Sequence, residues 1–246
     1  MRFPTFLMLS AALVAAPSLA AAQTNGLDLQ PTRTLAYAAQ EGTWMQPDMA
    51  PDGKTILFDL LGDIYALDAA GGTARPVLTG MAFERNPVFS PDGTQFAFLS
   101  DRSGATNLWV ANADGTGLKQ LSHDDKVAIY SSPAWSPDGR FISVSRTVHS
   151  ILAFELFLYD KDGGSGIQIT KAGSPDNWDE KMNAMGAVHA PDGRYLYYAT
   201  KRGHTWTEND LPNCRSRAAT SRQDRTRRSS SRRAARCALR CRMTGG

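Results

Sequence analysis

Four histidines, His123, His149, His189 and His204, are the side chains best suited to holding a metal or moving a proton near neutral pH. A hydrolytic metal centre wants a His-x-His pair on a strand end, further histidines, and an aspartate to activate water. No two of these four are spaced as His-x-His. His123 precedes Asp124 and Asp125, a trio that could hold a cation at a sheet edge and that also reads as a solvated loop. His189 stands two residues before Pro191, where three similar stretches carry Met49, Phe89 and Trp135, so it reads as a structural substitution. Nucleophile chemistry is no better served. There is no Gly-x-Ser-x-Gly, and GGSGIQ at 163–168 reads as a hairpin turn. The three cysteines, Cys214, Cys237 and Cys241, all lie beyond residue 213. No catalytic, cofactor-binding or metal-ligating residue is assigned.

Four aspartates form the most regular set. Each sits in one triplet: Pro51-Asp52-Gly53, Pro91-Asp92-Gly93, Pro137-Asp138-Gly139 and Pro191-Asp192-Gly193. They could be mistaken for a ligand set, but turn capping explains all four at once. Proline presets φ at the second turn position, aspartate suits the third, and glycine accepts a left-handed conformation at the fourth. The turn glycines are 40, 46 and 54 residues apart, the spacing of a repeated small sheet with loop insertions.

Around the second triplet the sequence reads strand (PVF), turn, strand (TQFAFLS), loop (DRSGATN), strand (LWVANA), turn (DGTG) and strand (LKQLS). The first and third copies fit the same frame; the fourth stops after RYLYYATKRG and a polar stretch. The pattern predicts antiparallel four-stranded meanders over residues 23–212, the last incomplete. A lone small sheet cannot bury its faces, whereas radial stacking builds a continuous core. The fold class is therefore all-β, a β-propeller with about four blades in an open arc. A β-sandwich with coincidentally similar turns is the competing reading.

Within that frame a few residues fall where partners bind. Asp101 and Arg102 in SDRSG, and Lys201 and Arg202 in TKRGH, occupy the same loop of their sheets. Such loops line one face of a propeller and are candidates for a partner surface. Their simpler role is ordering the loop. Trp178, in the polar insertion SPDNWDEKMN, is the candidate exposed aromatic. Trp44, Trp109, Trp135 and Trp206 are expected mostly to pack between sheets.

The wording FAFLSDRSGATNLWVANADGTGLKQLS resembles the PD40 repeat of TolB-type propellers. The stretches EGTWMQPDMAPDGKTILFDLLGDIYAL and GMAFERNPVFSPDG are more narrowly similar to the N-terminal propeller of exported amidohydrolase-family proteins. The resemblance covers roughly 33–212. It implies a non-catalytic module that binds a protein or its own downstream catalytic domain. A divalent metal would belong only to that hydrolase domain. A prolyl-oligopeptidase-like serine peptidase is a further possible owner of such a propeller.

The two ends differ from this body. Residues 1–22 have Arg2, an apolar run from about Phe6 to Ala16, and small residues suited to cleavage. That is the layout of a signal peptide, so the protein is expected to be exported, to the periplasm or beyond. The apolar run is short for a membrane span, and a membrane anchor is the alternative. Residues 213–246 hold 11 arginines and one acid, Asp224, leaving 16 basic against 23 acidic side chains elsewhere. Dense arginine could meet nucleic acid, but an exported protein seldom does, and no such partner is expected. Loss of one base after Asn213 would instead explain a tail without apolar periodicity: permitted codons restore a third and fourth strand, and Met243-Thr244 fix an aspartate codon. This tail is expected to be disordered and out of frame.

Overall fold

The computed structural model describes residues 38–148, 153–171, 182–202 and 215–220. The first sheet holds β1 (Asp48–Met49), β2 (Thr55–Leu60), β3 (Asp63–Asp68) and β4 (Arg75–Leu78). The second holds β5 (Glu84–Phe89), β6 (Gln95–Ser100), β7 (Asn107–Asn112) and β8 (Lys119–Gln120). The third holds β9 (Tyr130–Trp135), β10 (Phe141–Thr147), β11 (Phe154–Asp160) and β12 (Ile167–Gln168). In the fourth, β13 (Met182–His189), β14 (Tyr195–Arg202) and β15 (Arg215–Thr220) form three strands. Every sheet is an antiparallel meander in chain order. The signal-peptide stretch, Trp178, Trp206, His149, His204 and the three cysteines lie outside the described residues.

Each Pro-Asp-Gly triplet joins the first and second strands of a sheet. The four glycines have φ of 70°, 69°, 67° and 67°. Each donates its N–H to the carbonyl of the residue before the proline, at 2.8–2.9 Å. The aspartate carboxylates accept the N–H two residues on, from Lys54, Thr94, Arg140 and Arg194, at 2.9–3.1 Å. Successive turns also touch: a Cβ on Gly93 would lie 3.3 Å from Pro51, and one on Gly139 3.7 Å from Pro91.

Strand alternation sends side chains to both faces, and the sheets stack in sequence. From β6, Phe96 and Phe98 enter the core shared with the first sheet. Their neighbours Ala97 and Leu99 enter the core shared with the third. From β7, Trp109 and Ala111 take the first direction, Leu108 and Val110 the second. A third core joins Leu156 to Ala184, Ala187 and Leu196. The first strand of each later sheet, β5, β9 or β13, packs against the sheet before it.

Arg215–Thr220 departs from expectation. These residues fall in the segment read as disordered, yet they pair with β14 from Tyr195↔Thr220 to Thr200↔Arg215. The physical reason is that a ladder is made by main-chain groups. An open edge of β14 accepts any extended segment free of proline and glycine. The rest of the tail lies outside the described residues.

Candidate interaction surface

An antiparallel meander puts the Pro-Asp-Gly turns and the third-to-fourth strand hairpins at one end. The second-to-third strand loops and the links between sheets lie at the other. The turn end has a shallow depression between the first two triplets, lined by Pro51, Asp52, Arg75, Phe89 and Asp92 among others. Its carboxylates are engaged in turn capping. Asp92 is held below the usual aspartate range first by the Ser90 hydroxyl, then by the Thr94 N–H; Asp138 is lowered likewise by Ser136 and Arg140 N–H.

At the loop end, charged groups tie one sheet to the next. Asp59 on β2 accepts N–H groups from Gln46 at 2.7 Å and Asn86 at 2.8 Å. Asn86 is left-handed, φ 55°, at a bulge in β5. Asp101 accepts Phe83 N–H at 2.8 Å, and Asp63 accepts Gly80 N–H at 3.1 Å. Glu84, only 2% exposed, is paired with Arg102 through Oε1, while Oε2 has no hydrogen-bond partner. Burial pushes the Glu84 carboxyl above its usual range, and Arg102 and Ser100 oppose that shift. The Arg102 guanidinium also lies 5.4 Å from the Trp109 ring centroid. One sheet further on, Arg146 grips Asp124 with both Nε, at 2.7 Å, and Nη2. Tyr130 adds its hydroxyl to the same carboxylate at 2.5 Å. Asn107 fixes the Asp124 main chain through N–H and C=O contacts of 2.8 and 3.0 Å.

Beside these engaged charges is an apolar rim. Leu61 sits at the β2–β3 turn with φ 55° and is 75% exposed. Trp44, with φ 64°, is 95% exposed. Met45, Met81 and Phe83 are also exposed. A Cβ on Gly42 would meet both Met45 and Leu60, and one on Gly62 would meet the Phe83 ring. Met45 and Phe83 thus each lie against the loop end of the first sheet. Glycine or asparagine would hold φ near +60° at less cost than tryptophan or leucine.

The singled-out residues divide accordingly. Asp101 and Arg102 lie at the loop end, with their side chains engaged inside the fold. Lys201 and Arg202 close β14, with Met182↔Arg202 and Asn183↔Lys201 as neighbours. His123 is exposed, but Asp124 beside it is taken by Arg146 and Tyr130. His189 replaces an aromatic at a sheet junction; its Nε2 is 3.1 Å from Ser143 Oγ, and burial lowers its pKa. Trp109 and Trp135 are buried, as expected. Trp44 is a correction: a residue expected to pack between sheets stands in solvent, because it precedes β1 and never enters a sheet face.

Sequence reasoning missed Asp59, Glu84, the Asp124–Arg146 pair and the apolar rim. Asp59 had a signal. It lies six residues after Gly53, and Ser145 lies six after Gly139; Ser145 Oγ accepts the N–H of left-handed Gly186 at 3.1 Å. The second and fourth repeats carry Leu99 and Ala199 at that position, so superposing the repeats shows the cap in only two of four.

Comparison with known proteins agrees with this architecture. The sequence pattern described as "TolB beta propeller domain", PD40, matches residues 24–217. The Tol-Pal system protein TolB of Anaeromyxobacter dehalogenans (strain 2CP-C) is 33% identical over 98 residues, 37% of this chain and 21% of that protein. Tricorn protease homolog 1 of Streptomyces coelicolor is 32% identical over 95 residues, 39% of this chain and 9% of that protein. The match thus spans about a fifth or less of these relatives' lengths. A solved structure of putative TolB from Agrobacterium tumefaciens shares the fold, with a TM-score of 0.52 and 22% identity over 66% of this chain and 61% of that one. Repeated turn, sequential stacking and matching pattern agree: the chain belongs to the PD40 family of TolB β-propeller domains.

Proposed function

We propose that this chain is a non-catalytic propeller module of an exported protein, and that its loop-end apolar rim binds a protein or a catalytic domain of its own polypeptide. One observation carries the reading: Trp44 and Leu61, two bulky residues in left-handed conformations, both stand exposed on one rim. Strain of this kind concentrates at binding sites. Exposed aromatics beside a polar surround are the usual anchors of protein interfaces. A relative named for a Tol-Pal system supports a protein partner. Export rests on the layout of residues 1–22. The module needs no cofactor.

The 32% identity to a tricorn protease homolog favours a second, narrower form, in which the partner is a hydrolase domain. A metal-dependent amidohydrolase is the form the sequence resemblance implies, and a serine peptidase is the other. Photo-crosslinking tests both. A photoreactive residue at position 44 or 83, in cells of the source organism, is expected to give one dominant protein adduct. A probe at position 94, on the turn end, is expected to give none. Equal labelling from both ends, or none from either, overturns the reading; a hydrolase in the adduct selects its narrower form.

A further inference from the structure

The second, third and fourth sheets each begin with a bulged strand, and the three bulges are built alike. Asn86 in β5, Ser132 in β9 and Gly186 in β13 each stand seven residues before their turn glycine, with φ of 55°, 52° and 64°. In two of the three, a side chain of the preceding sheet accepts the bulge N–H. Asp59 on β2 accepts from Asn86 at 2.8 Å, and Ser145 on β10 accepts from Gly186 at 3.1 Å. Asp59 and Ser145 each lie six residues after their turn glycine. Between the second and third sheets the same position is Leu99, whose side chain has no acceptor. Among the described residues no side chain accepts the Ser132 N–H, and Ser132 is exposed.

A cation stands where the acceptor is missing. Arg85 is the cross-strand neighbour of Leu99. Its Nη2 donates to the Tyr130 carbonyl at 3.2 Å, two residues before Ser132 on the same strand. Among the described residues no carboxylate lies within ion-pair distance of it. Burial lowers its pKa, and Asp59 and Asp101 oppose that shift from longer range. Both of those carboxylates are occupied, Asp59 by the Gln46 and Asn86 N–H groups and Asp101 by the Phe83 N–H. A half-buried guanidinium with one neutral carbonyl as acceptor leaves most of its donors unused. A charge drawn out of water without a counter-charge is costly, and a bound anion relieves that cost.

We infer that the junction of the second and third sheets is a carboxylate-binding site, with the Arg85 fork and the Ser132 N–H as its donors. A guanidinium presents paired N–H groups that match the two oxygens of a carboxylate. A left-handed main-chain N–H beside it is a donor of the kind that lines anion nests. The first junction shows the same chemistry filled from within, where one carboxylate, Asp59, takes two main-chain N–H groups. At the second junction the chain supplies the donors and a small organic acid supplies the carboxylate. Its binding ties the third sheet to the second as Asp59 ties the second to the first. The site is independent of the rim and of the rim's partner.

Nuclear magnetic resonance of the isotope-labelled full chain tests the inference, with sodium acetate titrated against sodium chloride at matched ionic strength. The Ser132 N–H and Arg85 Nε–H signals are expected to move saturably with acetate and not with chloride. The Asn86 and Gly186 N–H signals, already capped, are expected to stay in place. Arg85→Met is expected to abolish the Ser132 response. Leu99→Asp places a carboxylate of the chain itself at the site and is expected to make Ser132 indifferent to acetate. A wild-type chain whose Ser132 signal ignores acetate overturns the inference. So does an equal response to chloride, an equal shift at Asn86 and Gly186, or a response that survives Arg85→Met. A cooperative thermal transition verifies folding of each variant. Leu99 is a core residue, and should its variant fail to fold, Arg85→Lys serves instead: it keeps the charge without the fork and is expected to weaken acetate binding, and unchanged binding overturns the assignment.

Discussion

Glu84 concentrates the electrostatic tension of the loop end in one side chain. It is nearly fully buried, its Oε1 is paired with Arg102, and its Oε2 is unpaired. Desolvation raises its pKa above 4.5 and outweighs the pull of Arg102. The folded state therefore holds this proton to a higher pH than the unfolded chain does. The stability it contributes is complete below the unfolded value and is lost as pH rises through the folded one. Glu84→Gln removes that titration while keeping the shape. The thermal midpoint of wild type minus that of the variant is expected to shrink as pH rises above the ordinary glutamate range. A difference that grows with pH would show the Arg102 attraction to be dominant. The Asp124–Arg146 pair is less buried than Glu84, with side chains 18% and 25% exposed. Neither contact was visible in the sequence, since Glu84–Arg102 and Asp124–Arg146 span 18 and 22 residues and form only when adjacent strands or sheets meet.

Among the connecting elements, the third-to-fourth strand hairpins show which glycines answer to local geometry and which to a neighbouring sheet. Gly71 and Gly115 hold equivalent places, each donating its N–H to the residue three before it, with φ of 95° and 87°. A Cβ on Gly71 meets open space, whereas one on Gly115 would land on the Val77 carbonyl oxygen of the first sheet. Gly71→Ala is expected to cost about 1–2 kcal/mol from backbone conformation alone. Gly115→Ala is expected to cost a further ~1–3 kcal/mol, because two sheets must move apart. Urea unfolding of both variants measures the difference, and equal losses would mean that the sheet junction yields freely. The elements themselves were largely legible in the sequence. Pro-Asp-Gly is a local signal, complete within four residues, and short apolar runs between turns marked β2, β3, β6, β7, β10 and β14. The bulges at Asn86, Ser132 and Gly186 were not legible, because a register shift is a relation between strands. Nor was β15, whose arginine-rich text gives no apolar period. The apolar rim escaped for a related reason: TWMQP and LLG read as core vocabulary until the strand ends fix which residues leave the sheet.

For the whole molecule, sequential stacking makes stability unequal along the chain. Each sheet contacts only its neighbours, so its resistance to opening depends on how many of its faces are covered. The second and third sheets have both faces covered; within the second, Phe96, Ala97, Phe98 and Leu99 run without a break through the interior. The first and fourth sheets each have one face so covered. Hydrogen exchange should follow that order. Amides of β6, β7 and β10 are expected to exchange slowest, those of β2 and β3 faster, and those of β14 faster still, because among the described residues its sheet shares the smallest core. Uniform exchange across all four sheets would contradict this order. It would mean that the junctions couple the sheets more tightly than the sheets hold themselves, through bridges such as Asp59 to Asn86 and Trp135 Nε1 to the Val88 carbonyl at 3.0 Å. The chain would then unfold as one body despite its repeated construction.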